Sequence, residues 1–140
     1  MPAFELLVAV LAEDIDELGH VNNTVYLRWV QDVATAHWRA IAEPAAQEAI
    51  AWVVLRHEIE YKAAAVAGDD ILLRTWVGHA SRITFERFTE IRRAQDGLLL
   101  SNARTLWCPI STTTHRPTRV SAQLLAQFSS DEDAGESTRG

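Results

Sequence analysis

The chain has 140 residues, 48% of them hydrophobic and 23% charged, which is enough apolar material for one domain with a real core. Its formal charge of -6 excludes a general nucleic-acid binder, which needs a basic field to displace counterions from phosphates. No 18-residue apolar run and no basic-apolar-small pattern opens the sequence, so the expectation is a soluble cytoplasmic protein without a membrane partner. Cys108 is the only cysteine, which removes an internal disulfide and any CxxC zinc site.

In chain order, Phe4 to Leu11 is a short apolar run that predicts a strand, and the polar stretch Glu13 to Asn23, with Gly19 inside it, predicts a loop. From Thr24 the residues Tyr26, Val30, Val33, Ala34, His37 and Ile41 recur at helical spacing. They predict a long amphipathic helix capped by Asn22 or Asn23 and bounded by Pro44. After Ile50 the period falls to two: Val53, Leu55, His57, Ile59 and Tyr61 share one face of a strand, and Arg56, Glu58, Glu60 and Lys62 the other. Gly68-Asp69-Asp70, Ala80-Ser81-Arg82 and Gln95-Asp96-Gly97 then punctuate three further strands, Ile71 to His79, Ile83 to Arg93 and Leu98 to Ile110. Val120 to Phe128 suits a short closing helix. The predicted order is strand, long helix, then four strands in an antiparallel meander, a single sheet wrapped around one helix.

The segment Ser129 to Gly140 carries four acids and one base with almost no apolar side chain, and it holds half of the net charge. It reads as a disordered acidic tail, which leaves 1–128 as the folded domain.

Chemistry concentrates in Glu13-Asp14-Ile15-Asp16-Glu17-Leu18-Gly19-His20-Val21-Asn22-Asn23-Thr24-Val25-Tyr26. This stretch delivers carboxylates beside a helix N-terminus, whose unpaired N–H groups and partial positive charge suit an oxyanion formed when a thioester carbonyl is attacked. A carboxylate there is able to attack the carbonyl carbon or to take a proton from water.

The pattern Asp14-x-Asp16-x-x-Gly19-His20-Val21-Asn22-Asn23-x-x-Tyr26 resembles the signature of the 4-hydroxybenzoyl-CoA thioesterase-like branch of the hotdog superfamily. Tyr61 to Asp69 (YKAAAVAGD) resembles that family's second recurring segment. The resemblance implies an α+β hotdog fold and an acyl-CoA thioesterase that works without a cofactor. Its catalytic carboxylate would be Asp16, with the backbone N–H near Asn23 polarising the carbonyl, His20 assisting, and Gly19, Asn22 and Tyr26 around the substrate. It also implies a homodimer or homotetramer with the site between subunits, and coenzyme A or acyl-carrier protein as the carrier. In the related plant acyl-carrier-protein thioesterases an Asp-x-Asn-x-His pattern carries catalysis. Here Leu18 stands in place of the asparagine, so that mechanism requires Asn22 or Asn23 to substitute.

Plainer readings stand beside these. Asp14 fits a carboxylate that orders the turn, His57 a satisfied core or interface histidine, and Cys108 a buried inert thiol. A metal site from Asp14, Asp16 and His20 lacks a second spaced cluster. Arg82, Arg87, Arg92, Arg93 and Arg104 are able to grip CoA phosphates in some subset or simply to line a solvated sheet face. Two other functions share the scaffold: a hotdog hydratase or dehydratase, and a non-catalytic acyl-thioester-binding module.

Overall fold

The computed structural model describes residues 3–128. The tail read as disordered lies outside them.

The elements follow as β1 (Phe4–Ala9), a single 3-10 turn (Ala12–Asp14), α1 (Asn23–Ile41), α2 (Pro44–Ala49), β2 (Ile50–Tyr61), β3 (Asp70–Ala80), β4 (Phe85–Arg93) and β5 (Leu99–Ser111). A last helix, α3, covers 122–128, with Ser121 Oγ accepting from the Leu124 N–H at its start. Pro44 marks the end of α1 as expected but also opens α2 as its first residue, where a missing N–H costs nothing.

All pairings in the five-stranded sheet are antiparallel, in the order β1-β3-β4-β5-β2. The expected four-strand meander is therefore corrected to three strands, β3-β4-β5. Short hairpins join those three, and the Asp96-Gly97 turn is closed by Gly97 at φ 74° and by Asp96 accepting from the Leu98 N–H. No hairpin joins β2 to β3. β2 lies against β5 at one edge, and residues 62–69 carry the chain back across the end of the sheet to β3.

The 19 residues of α1, about 28 Å at the usual rise, lie along the concave face. Val25, Tyr26, Trp29, Val30, Val33, Ala34, His37 and Trp38 form the buried stripe. Each of the large apolar members contributes roughly 1.5–3 kcal/mol by burial. The core is split along the helix. One cluster joins Tyr26, Trp29, Val30 and Val33 to Ile71, Leu73, Ile91 and Leu100, and the other joins Ala34 and Trp38 to Val77, Phe85, Trp107, Leu124 and Phe128. This is the hotdog architecture: a helix held inside a curved antiparallel sheet.

β2 departs from its simple alternation. Its register against β5 shifts between Val54 and Arg56, a bulge that reverses which face each later residue takes. Ile50, Trp52 and Val54 point inward before it, and His57 and Ile59 after it. Val53 and Leu55, expected on the same face as His57, stand 41% and 58% exposed.

Candidate active site

Between Asp14 and Asn23 the chain folds on itself. Bridges pair Ile15 with Val21 and His20 with Val66. The turn between them is closed by Asp16 N–H donating to His20 O (2.7 Å) and Gly19 N–H donating to Asp16 O (3.1 Å). Gly19 has φ 80°, a conformation side chains resist, which explains the glycine. Asp16 is half-buried, and its Oδ1 accepts from the Leu18 N–H (2.9 Å) and the His20 N–H (3.2 Å). That is the short-range carboxylate-to-backbone pattern of an Asx turn. Its Oδ2 accepts from no protein group among the described residues. The carboxylate is oriented through one oxygen, and the other is left available.

The neighbouring carboxylate behaves differently. Asp14 is 1% exposed, its Oδ2 accepts from the Leu11 N–H (2.9 Å), and its Oδ1 pairs with Arg28 of α1 at 3.1 Å. Its carbonyl accepts from the Asn22 N–H at 2.8 Å. Asp14 thus pins the loop to the helix, in line with its reading as a turn-ordering carboxylate.

Asn22 caps α1 by accepting at Oδ1 from the Thr24 N–H and the Thr24 hydroxyl, both at 3.0 Å. The Asn23 N–H, the first of the helix, donates to no protein group among the described residues. His20 is exposed, and it holds Asp16 through its backbone rather than its imidazole.

Tyr26 is 2% exposed, and its hydroxyl accepts from the Ala65 N–H at 2.9 Å. Burial pushes the phenol up from its ordinary value. It packs edge-on to Trp29 and Tyr61, so it supports the site from beneath. The YKAAAVAGD segment supplies the crossing loop itself: Val21 N–H donates to Ala65 O (2.9 Å), and Tyr61 OH donates to Asn23 O (3.3 Å). The two motifs therefore meet in space at the N-terminal end of α1.

The five arginines do not gather. Arg92 bonds Glu90 and Gly97 O, Arg93 bonds Asp69 and Asp96, and Arg104 bonds Glu58 and Glu86. Arg87 is buried on the inner face, away from any solvated role. Cys108 is buried, and burial raises its thiol. His57 accepts from or donates to Thr105 Oγ1 at 3.0 Å, and burial lowers its imidazole. Among the described residues no three His, Cys, Asp or Glu side chains gather as a metal site, and no helix is long and apolar enough to cross a membrane.

This loop and topology have relatives. A model of the thioesterase-like superfamily matches residues 10–128. The chain belongs to that superfamily. Its membership places it among the thioester hydrolases. Similar solved structures include a 1,4-dihydroxy-2-naphthoyl-CoA thioesterase from Synechocystis, at 21% identity over 94% of this chain and 98% of that one with a TM-score of 0.77. A thioesterase from Thermus thermophilus complexed with coenzyme A and Zn is 19% identical over 89% and 95%, with a TM-score of 0.76. A Staphylococcus aureus protein in complex with CoA is 17% identical over 92% and 85%, with a TM-score of 0.81. No curated protein sequence matches the chain.

Proposed function

We propose that this thioesterase-superfamily member hydrolyses an acyl-coenzyme A thioester, with Asp16 as its general base or nucleophile. The observation that carries the proposal is the state of the Asp16 carboxylate: two backbone N–H groups hold Oδ1, and Oδ2 is unengaged at the end of α1 where the Asn23 N–H is also unengaged. In this reading the thioester carbonyl oxygen accepts from the Asn23 N–H, which strengthens as negative charge develops on it. Asp16 Oδ2 then attacks the carbonyl carbon or takes the proton of an attacking water. The carbon–sulfur bond breaks and the thiolate leaves, with the exposed imidazole of His20 as its proton donor; where Asp16 is the nucleophile, a water then hydrolyses the acyl-aspartyl anhydride to the free acid and restores the carboxylate. Asn22 and Gly19 shape the approach, and Tyr26 acts through the 63–66 backbone it holds. Two of the similar structures contain coenzyme A, which supports it as the carrier.

The proposal includes a dimer. β2 is a 12-residue edge strand with Val53 and Leu55 exposed, and a long apolar edge of that kind favours pairing with a second copy.

The test is thiol release from a panel of short, long and aromatic acyl-CoAs by the wild-type chain and by Asp16→Asn. Turnover is expected to fall by about a hundredfold or more with the fold intact by circular dichroism. Near-wild-type turnover in the folded variant overturns the assignment.

A further inference from the structure

The other end of α1 holds a second site. A cavity of about 290 Å³ lies between the C-terminal half of the helix, α2, the start of β2 and the inner face of the sheet. Trp38, Trp52, Phe85, Trp107 and Phe128 give it aromatic walls, Arg87 lines it, and no Asp or Glu among the described residues does. Counting along α1 from Asn23 to Trp38 puts it about 22 Å from the Asp16 loop of the same protomer.

What marks the cavity is its polar imbalance. Arg87 is 6% exposed. Its Nη1 donates to His37 Nδ1 (3.0 Å) and to Thr75 Oγ1 (3.2 Å), both neutral acceptors, and its guanidinium sits 5.9 Å from the Phe128 ring centre. Among the described residues the Nε and Nη2 groups donate to no protein acceptor, and no carboxylate pairs with the guanidinium. Burial lowers it only to about 10, so it stays a cation at neutral pH. Trp52 and Trp107 each carry a buried indole N–H with no acceptor. Buried cations are ordinarily paired and buried donors ordinarily satisfied. Here the deficit is all on one side: three lining residues offer N–H groups and lack an acceptor.

A neutral carbonyl would answer one donor and leave the charge. A phosphate would answer the charge but lose its hydration to aromatic walls. A carboxylate on an apolar body answers both, and the volume, at the small end of ligand pockets (about 300–1,000 Å³), admits one ring or a short branched group rather than a long chain.

We propose that this cavity binds a small aromatic or branched carboxylate, its anionic group on the open N–H groups of Arg87 and its body among the tryptophans. The carboxylate has two sources: a free acid, or an acyl group that bears one and is presented to the Asp16 loop of a second copy. Only the second source rests on the thioesterase mechanism above.

The full-length chain, folded and without thioester, is titrated with benzoate and with benzamide, its neutral isostere. Calorimetry gives affinity, and the emission of the lining tryptophans gives location. Benzoate is expected to bind at least about tenfold more tightly than benzamide. In Arg87→Met, which keeps the volume, that preference should collapse. Should Arg87→Met fail to fold, Trp52→Phe keeps the charge, removes one indole N–H, and is expected to weaken benzoate while sparing benzamide. Equal affinity for acid and amide in the wild type, or no binding by about 10 mM, overturns the proposal. Benzoate binding that emerges only after removal of residues 129–140 also overturns it, because a carboxylate of the chain itself is then the partner of Arg87. Competitive inhibition of thiol release by benzoate supports the acyl source, and binding without effect on turnover supports a free acid. The titrations themselves do not depend on Asp16, so an inactive protein still shows whether the cavity takes a carboxylate.

Discussion

The two ends of α1 solve opposite problems. At the N-terminal end the loop and the crossing segment supply acceptors for many of the local backbone donors, and one carboxylate oxygen and the first helix N–H stand open among the described residues. At the C-terminal end a guanidinium and two indoles meet in an aromatic cavity with no acid among the described residues to receive them. The first end is built from one short loop and the 61–66 segment that meets it, and reads as chemistry. The second is assembled from α1, α2, α3 and four strands and reads as recognition. The comparison also holds on a finer scale, between Asp14 and Asp16, two residues apart, one spent on structure and the other held ready.

Substituting each aspartate in turn separates the two uses. Asp16→Asn is expected to produce the largest change, the hundredfold or greater loss of turnover described above, with little change in thermal midpoint. Asp14→Ala should do the reverse. It takes the acceptor from the part-buried Leu11 N–H and frees Arg28 from the loop, so it should cost about 1 kcal/mol or more of stability by chemical denaturation. Any turnover lost should recover with conditions that restore folding. If Asp14→Ala is fully stable but inactive, the roles have been assigned the wrong way round.

The C-terminal end is expected to respond to pH through His37. Burial, and then the neighbouring Arg87 charge, lower this imidazole from 6.5 to about 3. Arg87 donates to its Nδ1, so a proton there would set two donors against each other. The sign follows from the two states. Below pH 6.5 the unfolded chain takes up a proton that the folded chain refuses, so stability is intact above 6.5 and is lost progressively as pH falls toward 3. Well below 6.5 the slope approaches about 1.4 kcal/mol per pH unit. Denaturant melts at pH 6.5 and 5.5, above most carboxylate titration, should show part of this loss in the wild type. His37→Gln, which keeps an acceptor for Arg87, should flatten it. An unchanged slope in the variant would mean that another group governs acid stability.

These contrasts explain how far the sequence alone could be read. Hydrophobic period and turn chemistry are local, so β1, α1, the three hairpin strands and the closing helix were each predicted to within a few residues. The Asp16 motif is also local: Gly19, the Asn22 cap and the Asp14 turn are all satisfied within fourteen residues and one helix. Strand adjacency is not local. Nothing in Lys62 to Asp69 states that the chain crosses the sheet instead of turning back, and the segment resembled its family before its geometry could be inferred. The Leu55 bulge was hidden because an inserted residue leaves composition intact and changes only phase. From sequence Arg87 is one of five arginines able to grip phosphates or to line a solvated sheet face, since alternation along β4 does not say which face carries the helix. The only available signal was its position among Phe85, Thr89 and Ile91, the residues that share its face.

The exposed edge offers a smaller test. Leu55→Lys places a charge on the outward side of the bulge in β2, where more than half of the side chain is exposed, so folding should be little affected. Sedimentation at micromolar concentration is expected to show a dimer or larger assembly for the wild type, and dissociation at least about tenfold easier for the variant. A wild-type chain that is active as a 15.6 kDa monomer removes the shared-site picture.

The smallest expected effect is that of a chelator. A metal in the loop would need Asp14, Asp16 and His20 together. Asp14 spends one oxygen on the Leu11 N–H and the other on Arg28, and Asp16 spends one on Leu18 and His20. A cation at Asp14 would have to displace both the Leu11 N–H and the Arg28 guanidinium, at the cost of two existing contacts. In the proposed mechanism the Asn23 N–H and the dipole of a 19-residue helix already supply the positive field that a metal would bring to the oxyanion. Thiol release should therefore be the same before and after incubation with EDTA and dialysis. Activity that disappears on chelation and returns with one divalent ion, but not with another, would show that the loop rearranges around a metal. It would also convert Asp14 from the residue that fixes the site into one that works in it.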